Sequence, residues 1–171
     1  MAERRAKLTA SVTGLHFAAL QVGAFLSVES VSSSAWATYA ALSAAWLGGT
    51  LAGLWLTLPA GPTVLAGVVA FEGLVAYTRL APWSRGLFAF AAAAAAIGGL
   101  WAGAFFTRAA RRRATDGVFL HENNGFLVGL VATPVTFAFG GRTALAALPV
   151  VTCAMLFVLD QTSPRTRRQT P

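Results

Sequence analysis

The sequence predicts an all-α polytopic membrane protein, a bundle of six transmembrane helices with both termini on the cytoplasmic side. Three observations carry this prediction. Hydrophobic residues make up 56% of the 171 residues and charged residues only 11%, whereas a soluble domain carries about 25% charged residues. Apolar runs of membrane-spanning length recur along the chain. Arginines cluster beside these runs, as topology signals do.

The first half of the chain contains three apolar runs. A helix needs roughly 20 apolar residues to cross the hydrocarbon core of a bilayer. On this basis residues 1–7 form a cytoplasmic N-terminus, and the first three spans are residues 8–28, 35–58 and 63–80. Prolines in the turn after the second span end that helix.

The second half is divided in the same way. The fourth span is residues 87–107 and contains six consecutive alanines, which favour a helix. The apolar stretch that follows is too long for one span, and Gly140 and Gly141 offer a natural break. We therefore predict a fifth span at 118–139 and a sixth at 143–159, followed by a polar cytoplasmic tail at 160–171.

The distribution of basic residues predicts the orientation. With the N-terminus inside, ten of the 13 Lys and Arg residues fall in cytoplasmic segments, and only Arg79, Arg85 and Arg142 fall outside. Five spans would move the C-terminal arginines outside and weaken this asymmetry. The positive-inside rule thus favours an even number of spans. We expect these spans to lie in the inner (cytoplasmic) membrane of the cell.

Composition also limits the function classes. A net charge of +7 would favour nucleic-acid binding in a soluble protein, but here the basic residues flank spans, so we predict no nucleic-acid partner. The single cysteine, Cys153, allows no internal disulfide and is interpreted as a small buried residue. Gly-x-Ser-x-Gly and His-Glu-x-x-His motifs are absent, so we predict neither an enzyme nor a metal site or cofactor.

A glycine motif occurs twice. Residues 48–53 and 98–103 both follow the pattern Gly-Gly-x-x-Ala-Gly, in spans predicted to run from outside to inside. Small residues four apart allow helices to approach closely in lipid. The helix-packing positions that we predict from the motif are Gly49, Gly53, Gly99 and Gly103. The alternative is that glycine is simply common in membrane helices.

Glu72 is the main candidate for a functional group at membrane depth. It lies near the middle of the third predicted span, where an unpaired carboxylate is costly. His16 is expected at a similar depth and Gln21 one turn further out, so the three could form one intramembrane polar site. Two interpretations stay open: a protonatable site on a cation or proton path, or a glutamate that fixes helix packing.

A polar cluster is predicted on the cytoplasmic side, where the fifth span begins. It combines polar residues of that span with the basic segment before it: His121, Glu122, Asn124, Arg111, Arg112 and Arg113. These residues would form an interfacial cluster or line an entrance. Two lone histidines on separate spans are weak evidence for haem ligation, which is the less favoured alternative.

Several motifs follow one another in a set order: the Gly-Gly-x-x-Ala-Gly span, Glu72-Gly-Leu-Val-Ala-Tyr77, Asn124-Gly-Phe-Leu-Val-Gly129 and a last span after Arg142. This order resembles the membrane domain that is fused to spermidine-synthase-like enzymes, itself similar to a major-facilitator half. The resemblance covers nearly the whole chain. It implies a helical bundle and a link to polyamine or cation handling. It implies no aminopropyl transfer, because no synthase domain follows, and Gln21 stands where the resemblance leads one to expect an acid or a similar polar residue.

Two functions are compatible with this organisation. The first is a non-enzymatic integral membrane subunit that anchors or scaffolds a larger membrane complex, such as an electron-transfer complex. Its partners would be the lipid bilayer and other membrane subunits or a second copy. The alternative is a small cation or polyamine-type transporter, or half of one that works as a dimer, because alternating access normally needs two such bundles.

Overall fold

Helices form the regular structure of the residues that the computed structural model describes, which are 2–32, 35–111 and 115–161. The helices are α1 (Ala2–Glu29), α2 (Ala35–Trp55), α3 (Ala60–Leu80), α4 (Leu87–Arg111) and α5 (Thr115–Gln161), and these ranges contain no strand. Four stretches are long and apolar enough to cross a membrane, namely Glu3–Glu29, Ala60–Leu80, Leu87–Arg111 and Gly117–Asp160. The predicted all-helical class is confirmed, and the apolar helices are those expected of a membrane protein.

The last part of the described chain consists of two helical parts that meet at a kink. The predicted spans 118–139 and 143–159 both lie within α5, a single element of 47 residues. Gly141 interrupts α5 with non-helical backbone angles, φ 62° and ψ −160°. Glycine adopts this conformation at little cost because it has no Cβ atom. The predicted break thus coincides with the non-helical residue that separates the two helical parts of α5, and the membrane crossing of each part stays a prediction.

Helix α2 is the one long helix that is not in the apolar set. Three tryptophans, three glycines and two threonines lower its mean hydropathy. Its 21 residues are nevertheless enough to extend across about 30 Å, the thickness of a hydrocarbon core. The length of α2 is thus compatible with a span, and α2 contains no charged residue.

The repeated glycine motifs of α2 and α4 pack against each other. A Cβ atom added at Gly49 or Gly53 would overlap backbone atoms of α4, and one added at Gly99 or Gly103 would overlap backbone atoms of α2. The residue numbers of the contacting positions rise together along both helices, so α2 and α4 are parallel. Their backbones touch directly, with no side chain between them.

The first half of α5 approaches α1 in the same manner. A Cβ atom at Gly125 would overlap the backbone of Ser11, and one at Gly14 would overlap the backbone of α5. Further along, a Cβ atom at Gly129 would be too close to Ala18. The residue numbers rise together, so this half of α5 runs parallel to α1.

The second half of α5 returns along α1 in the opposite direction. Arg142, next to the kink, donates to the Ser30 hydroxyl over 3.0 Å, and Thr152 bonds to His16. Arg5 donates to the carbonyl of Leu159, near the C-terminal end of α5. Because α1 also contacts α2, α3 and α4, it is the central helix of the bundle.

Basic side chains lie at one end of this bundle, which we call the basic end. Arg5 of α1 binds a carbonyl of α5 there, and Arg108 of α4 donates to the carbonyl of Leu58, just before α3. Lys7 is also at this end and pairs with Glu3 at 2.8 Å. The arginine contacts join the ends of four elements, so they fix how the helices converge.

Two adjacent glycines of α2 provide a matched test of the α2–α4 contact. A Cβ atom at Gly49 would overlap the backbone of Ala96, whereas one at Gly48 would meet nothing within 4 Å. We expect Gly49→Ala to lower the free energy of unfolding by about 1–3 kcal/mol, as overpacking does. Gly48→Ala should change it by less than about 0.5 kcal/mol or stabilise the helix slightly. Thermal unfolding in detergent measures both, and equal effects of the two variants would contradict the close contact.

Candidate functional site

His16 is fully buried and bonded to the second half of α5. Its Nδ1 atom lies 2.8 Å from Oγ1 of Thr152. The Thr152 hydroxyl has one proton, which it donates to the carbonyl of Leu148 at 3.0 Å or of Pro149 at 3.1 Å. It therefore accepts the N–H of Nδ1. The other ring nitrogen, Nε2, is buried without a hydrogen-bond partner.

Glu72 lies half-buried in α3, and its Oε1 atom is buried without a hydrogen-bond partner. Glu72 and His16 are not hydrogen-bonded to each other, and His16 bonds to Thr152. The two side chains lie at different depths along the bundle. Phe71, next to Glu72, lies against the position of a Cβ atom at Gly23, which is seven residues, or about 10 Å, further along α1 than His16.

Gln21 is half-buried in α1. Within the described residues, no hydrogen bond joins it to His16 or Glu72. Between α1, α2, α3 and α4 there is a void of only about 10 Å³, which is lined by residues such as Leu20, Trp46 and Phe71. A void of this size holds at most about one water molecule. His16, Gln21 and Glu72 do not line this void.

The residues of the predicted cytoplasmic-side cluster are spread over different environments. Glu122 is buried near α1, His121 is half-buried, and Asn124 and Arg111 are exposed. Arg112 and Arg113 lie outside the described residues. No ion pair or hydrogen bond joins the four described side chains. Among residues 2–32, 35–111 and 115–161, no group of three His, Cys, Asp or Glu residues is arranged to hold a metal ion.

A cavity of about 460 Å³ opens at the basic end, between α1, α3, α4 and α5. We call it the basic-end cavity. Its walls are mostly apolar, with Val64, Phe105 and Leu156 among them. Ligand pockets in proteins typically have volumes of roughly 300–1,000 Å³. The basic-end cavity is therefore large enough for a ligand, unlike the void in the middle of the bundle.

Charged and polar groups line the mouth and one wall of this cavity. Arg5 and Arg108 line it together with one acid, Asp160. The Arg108 guanidinium lies over the Trp101 ring, 5.3 Å from its centroid, in a cation–π contact. Trp101 is only 6% exposed, and its indole N–H has no hydrogen-bond partner. The cavity thus combines apolar walls, a net positive charge and a buried donor.

Little in the sequence indicates that these residues belong to one site. Arg5 and Arg108 have the positions of topology signals, and Trp101 belongs to the second glycine motif. The seven-residue spacing of Trp101 and Arg108 is a weak indication, since it places both on one face of α4. The cavity itself requires the convergence of four helices, which no local pattern encodes.

Comparisons with protein-family models, curated proteins and solved structures find no match to this chain. The resemblance to the membrane domain of spermidine-synthase-like proteins therefore stays a prediction.

The bond between His16 and Thr152 can be tested by removing the hydroxyl. Thr152→Val leaves both ring nitrogens of His16 without a partner, so we expect a loss of about 1–3 kcal/mol in the free energy of unfolding. Thr143→Val, at an exposed position of the same helix, is the control and should have little effect. Unfolding in detergent measures both, and a neutral Thr152→Val would show that the bond contributes nothing to stability.

Proposed function

We propose that the protein is a non-enzymatic integral membrane subunit that crosses the bilayer six times and binds a transmembrane helix of a partner subunit on α2. The reversal of α5 at Gly141 supports six crossings, because each half of α5 has roughly 20 residues or more, enough for one span. The halves also run in opposite directions along α1.

The basic residues support an orientation with both termini in the cytoplasm. Arg5, Lys7 and Arg108 lie at the basic end, whereas Arg142 and the loop with Arg85 lie at the opposite end. The positive-inside rule assigns the more basic end to the cytoplasm.

The outer face of α2 carries the scaffold proposal. It exposes a line of small residues at helical spacing, which we call the α2 small-residue stripe: Ala37, Ala41, Ala44, Gly48 and Ala52. Exposed leucines flank it, including Leu47 and Leu51. The small side chains between these leucines form a groove, which allows another helix to approach α2 closely in lipid.

The orientation can be tested with single cysteines in a Cys153→Ala background. Glu3→Cys lies at the basic end, and Trp83→Cys lies in the loop between α3 and α4 at the opposite end; both native side chains are exposed. A membrane-impermeant maleimide added to sealed right-side-out vesicles should label position 83 but not position 3. Labelling of position 3, or equal labelling of both, would contradict the proposed orientation.

The partner site can be tested by filling the stripe. Ala41→Leu combined with Gly48→Leu should release the partner subunit, while the fold is kept because both positions are exposed. The control is Ala147→Leu with Ala154→Leu, which has the same spacing on an exposed face of α5. Native purification followed by mass identification of the co-migrating chains is the measurement.

The expected result is a defined assembly for the wild type and the control, and a smaller species for the stripe variant. An assembly that contains only this chain would identify the partner as a second copy. A wild type that migrates as a monomer, or an assembly that survives in the stripe variant, would overturn the docking of a partner on α2.

A transporter is the second candidate, and the unpartnered Oε1 atom of Glu72 favours it, since a polar group at membrane depth is costly to keep. Glu72→Gln should abolish the uptake of labelled spermidine into proteoliposomes but leave the protein monodisperse. Glu3→Gln, an exposed acid outside this region, is the control and should transport normally. Unchanged uptake by Glu72→Gln would remove Glu72 from the path, and an inactive wild type would remove the transporter function.

A further inference from the structure

We propose that the basic-end cavity binds one molecule of an anionic membrane lipid, with its phosphate headgroup at the arginines and an acyl chain along the apolar walls. The cavity has a volume of about 460 Å³ and lies between α1, α3, α4 and α5. The walls below the arginines are formed by side chains such as Val64, Phe105 and Leu156, which offer an acyl chain a dry surface.

Charge is the first argument for a phosphate headgroup. Two guanidinium groups, those of Arg5 and Arg108, line the cavity against the one carboxylate of Asp160. Both arginines keep their positive charge while they donate to backbone carbonyls. Basic pockets between transmembrane helices on the cytoplasmic side are suited to anionic headgroups, so the net positive charge selects a lipid with a net negative charge.

The buried indole of Trp101 is the second argument. Its N–H donor is buried, lacks a hydrogen-bond partner and belongs to a side chain that lines the cavity. A buried donor of this kind is normally satisfied by an acceptor. The nitrogen is closed off from the cavity in this conformation. A rotation of the indole on binding would expose it to the phosphate or ester oxygens of a lipid, acceptors that a hydrocarbon alone does not supply. The cavity therefore fits an amphipathic ligand better than a purely apolar one.

The level of the cavity in the bundle agrees with this ligand. It lies at the basic end, among the first residues of α1 and α3 and the last residues of α4. In the proposed orientation this is the inner headgroup layer, where the phosphates of lipids are located. The lipid would enter from the bilayer with its headgroup already at the height of the arginines.

Two alanines of α4 give a matched pair of variants. Ala109 lines the cavity, whereas its neighbour Ala110 is exposed and does not. The purified full chain in a neutral detergent is titrated with dioctanoyl phosphatidylglycerol, dioctanoyl phosphatidylcholine or inorganic phosphate, and the thermal unfolding temperature is recorded.

Phosphatidylglycerol should raise the unfolding temperature of the wild type and of Ala110→Leu in a saturable manner. Ala109→Leu should lose this response. Phosphatidylcholine should stabilise the wild type much less than phosphatidylglycerol, and inorganic phosphate should not stabilise it. Trp101→Phe keeps an aromatic side chain but removes the donor, so it should raise the phosphatidylglycerol concentration at half-saturation by about fivefold, as for the loss of one hydrogen bond. Trp55→Phe, at an exposed ring, should not.

Each of the other outcomes overturns the lipid site. Stabilisation of the wild type by inorganic phosphate as strong as that by phosphatidylglycerol would identify the occupant as a free anion. An unchanged response of both Ala109→Leu and Trp101→Phe would place lipid binding elsewhere on the protein. A wild type that phosphatidylglycerol does not stabilise would exclude the lipid as a ligand. If Ala109→Leu does not fold, Trp101→Phe alone decides between these results.

Discussion

Direct backbone contact at glycines is the interaction on which the rest of this bundle depends. In lipid, the hydrophobic effect does not drive helices together, so association relies on dispersion and polar contacts at short range. The α2–α4 pair and the α1–α5 pair both use glycines for this purpose. Larger side chains then pack around these contacts, as where Phe17 of α1 lies edge-on to Trp46 of α2, 6.0 Å away. A single added methyl group at Gly49 or Gly125 would separate the elements that position all the others.

Features that depend on local sequence were the ones that could be predicted. The helical class follows from composition, and the break at Gly141 follows from the Gly-Gly pair. The hydrogen bond of His16 to Thr152 could not be predicted from the sequence. The position of a residue within its own span does not show which other helix packs against it. The basic-end cavity was missed for the same reason, since Arg5, Trp101 and Arg108 come together only through tertiary packing. The number of membrane crossings stays a prediction.

The distribution of space differs between the two levels of the bundle. Around Leu20 and Phe71 the helices leave a void of about 10 Å³, whereas at the basic end they surround a cavity of about 460 Å³. His16 Nε2, Glu72 Oε1 and Trp101 Nε1 are among the buried polar atoms without a partner. Of these three residues, only Trp101 lines the basic-end cavity. The larger space for a ligand is thus at the basic end of the bundle.

The pairing of α1 with α5 has a consequence for biosynthesis. The hydrogen bond between His16 and Thr152 joins residues 136 positions apart, so α1 leaves the ribosome long before its most extensive partner. Until then, Gly14 and His16 face either lipid or a protein of the insertion machinery. Long-range contacts of this kind delay the completion of a fold. Ribosome stalling or truncation before α5 would therefore leave the ring of His16 without the hydroxyl that binds it in the complete bundle.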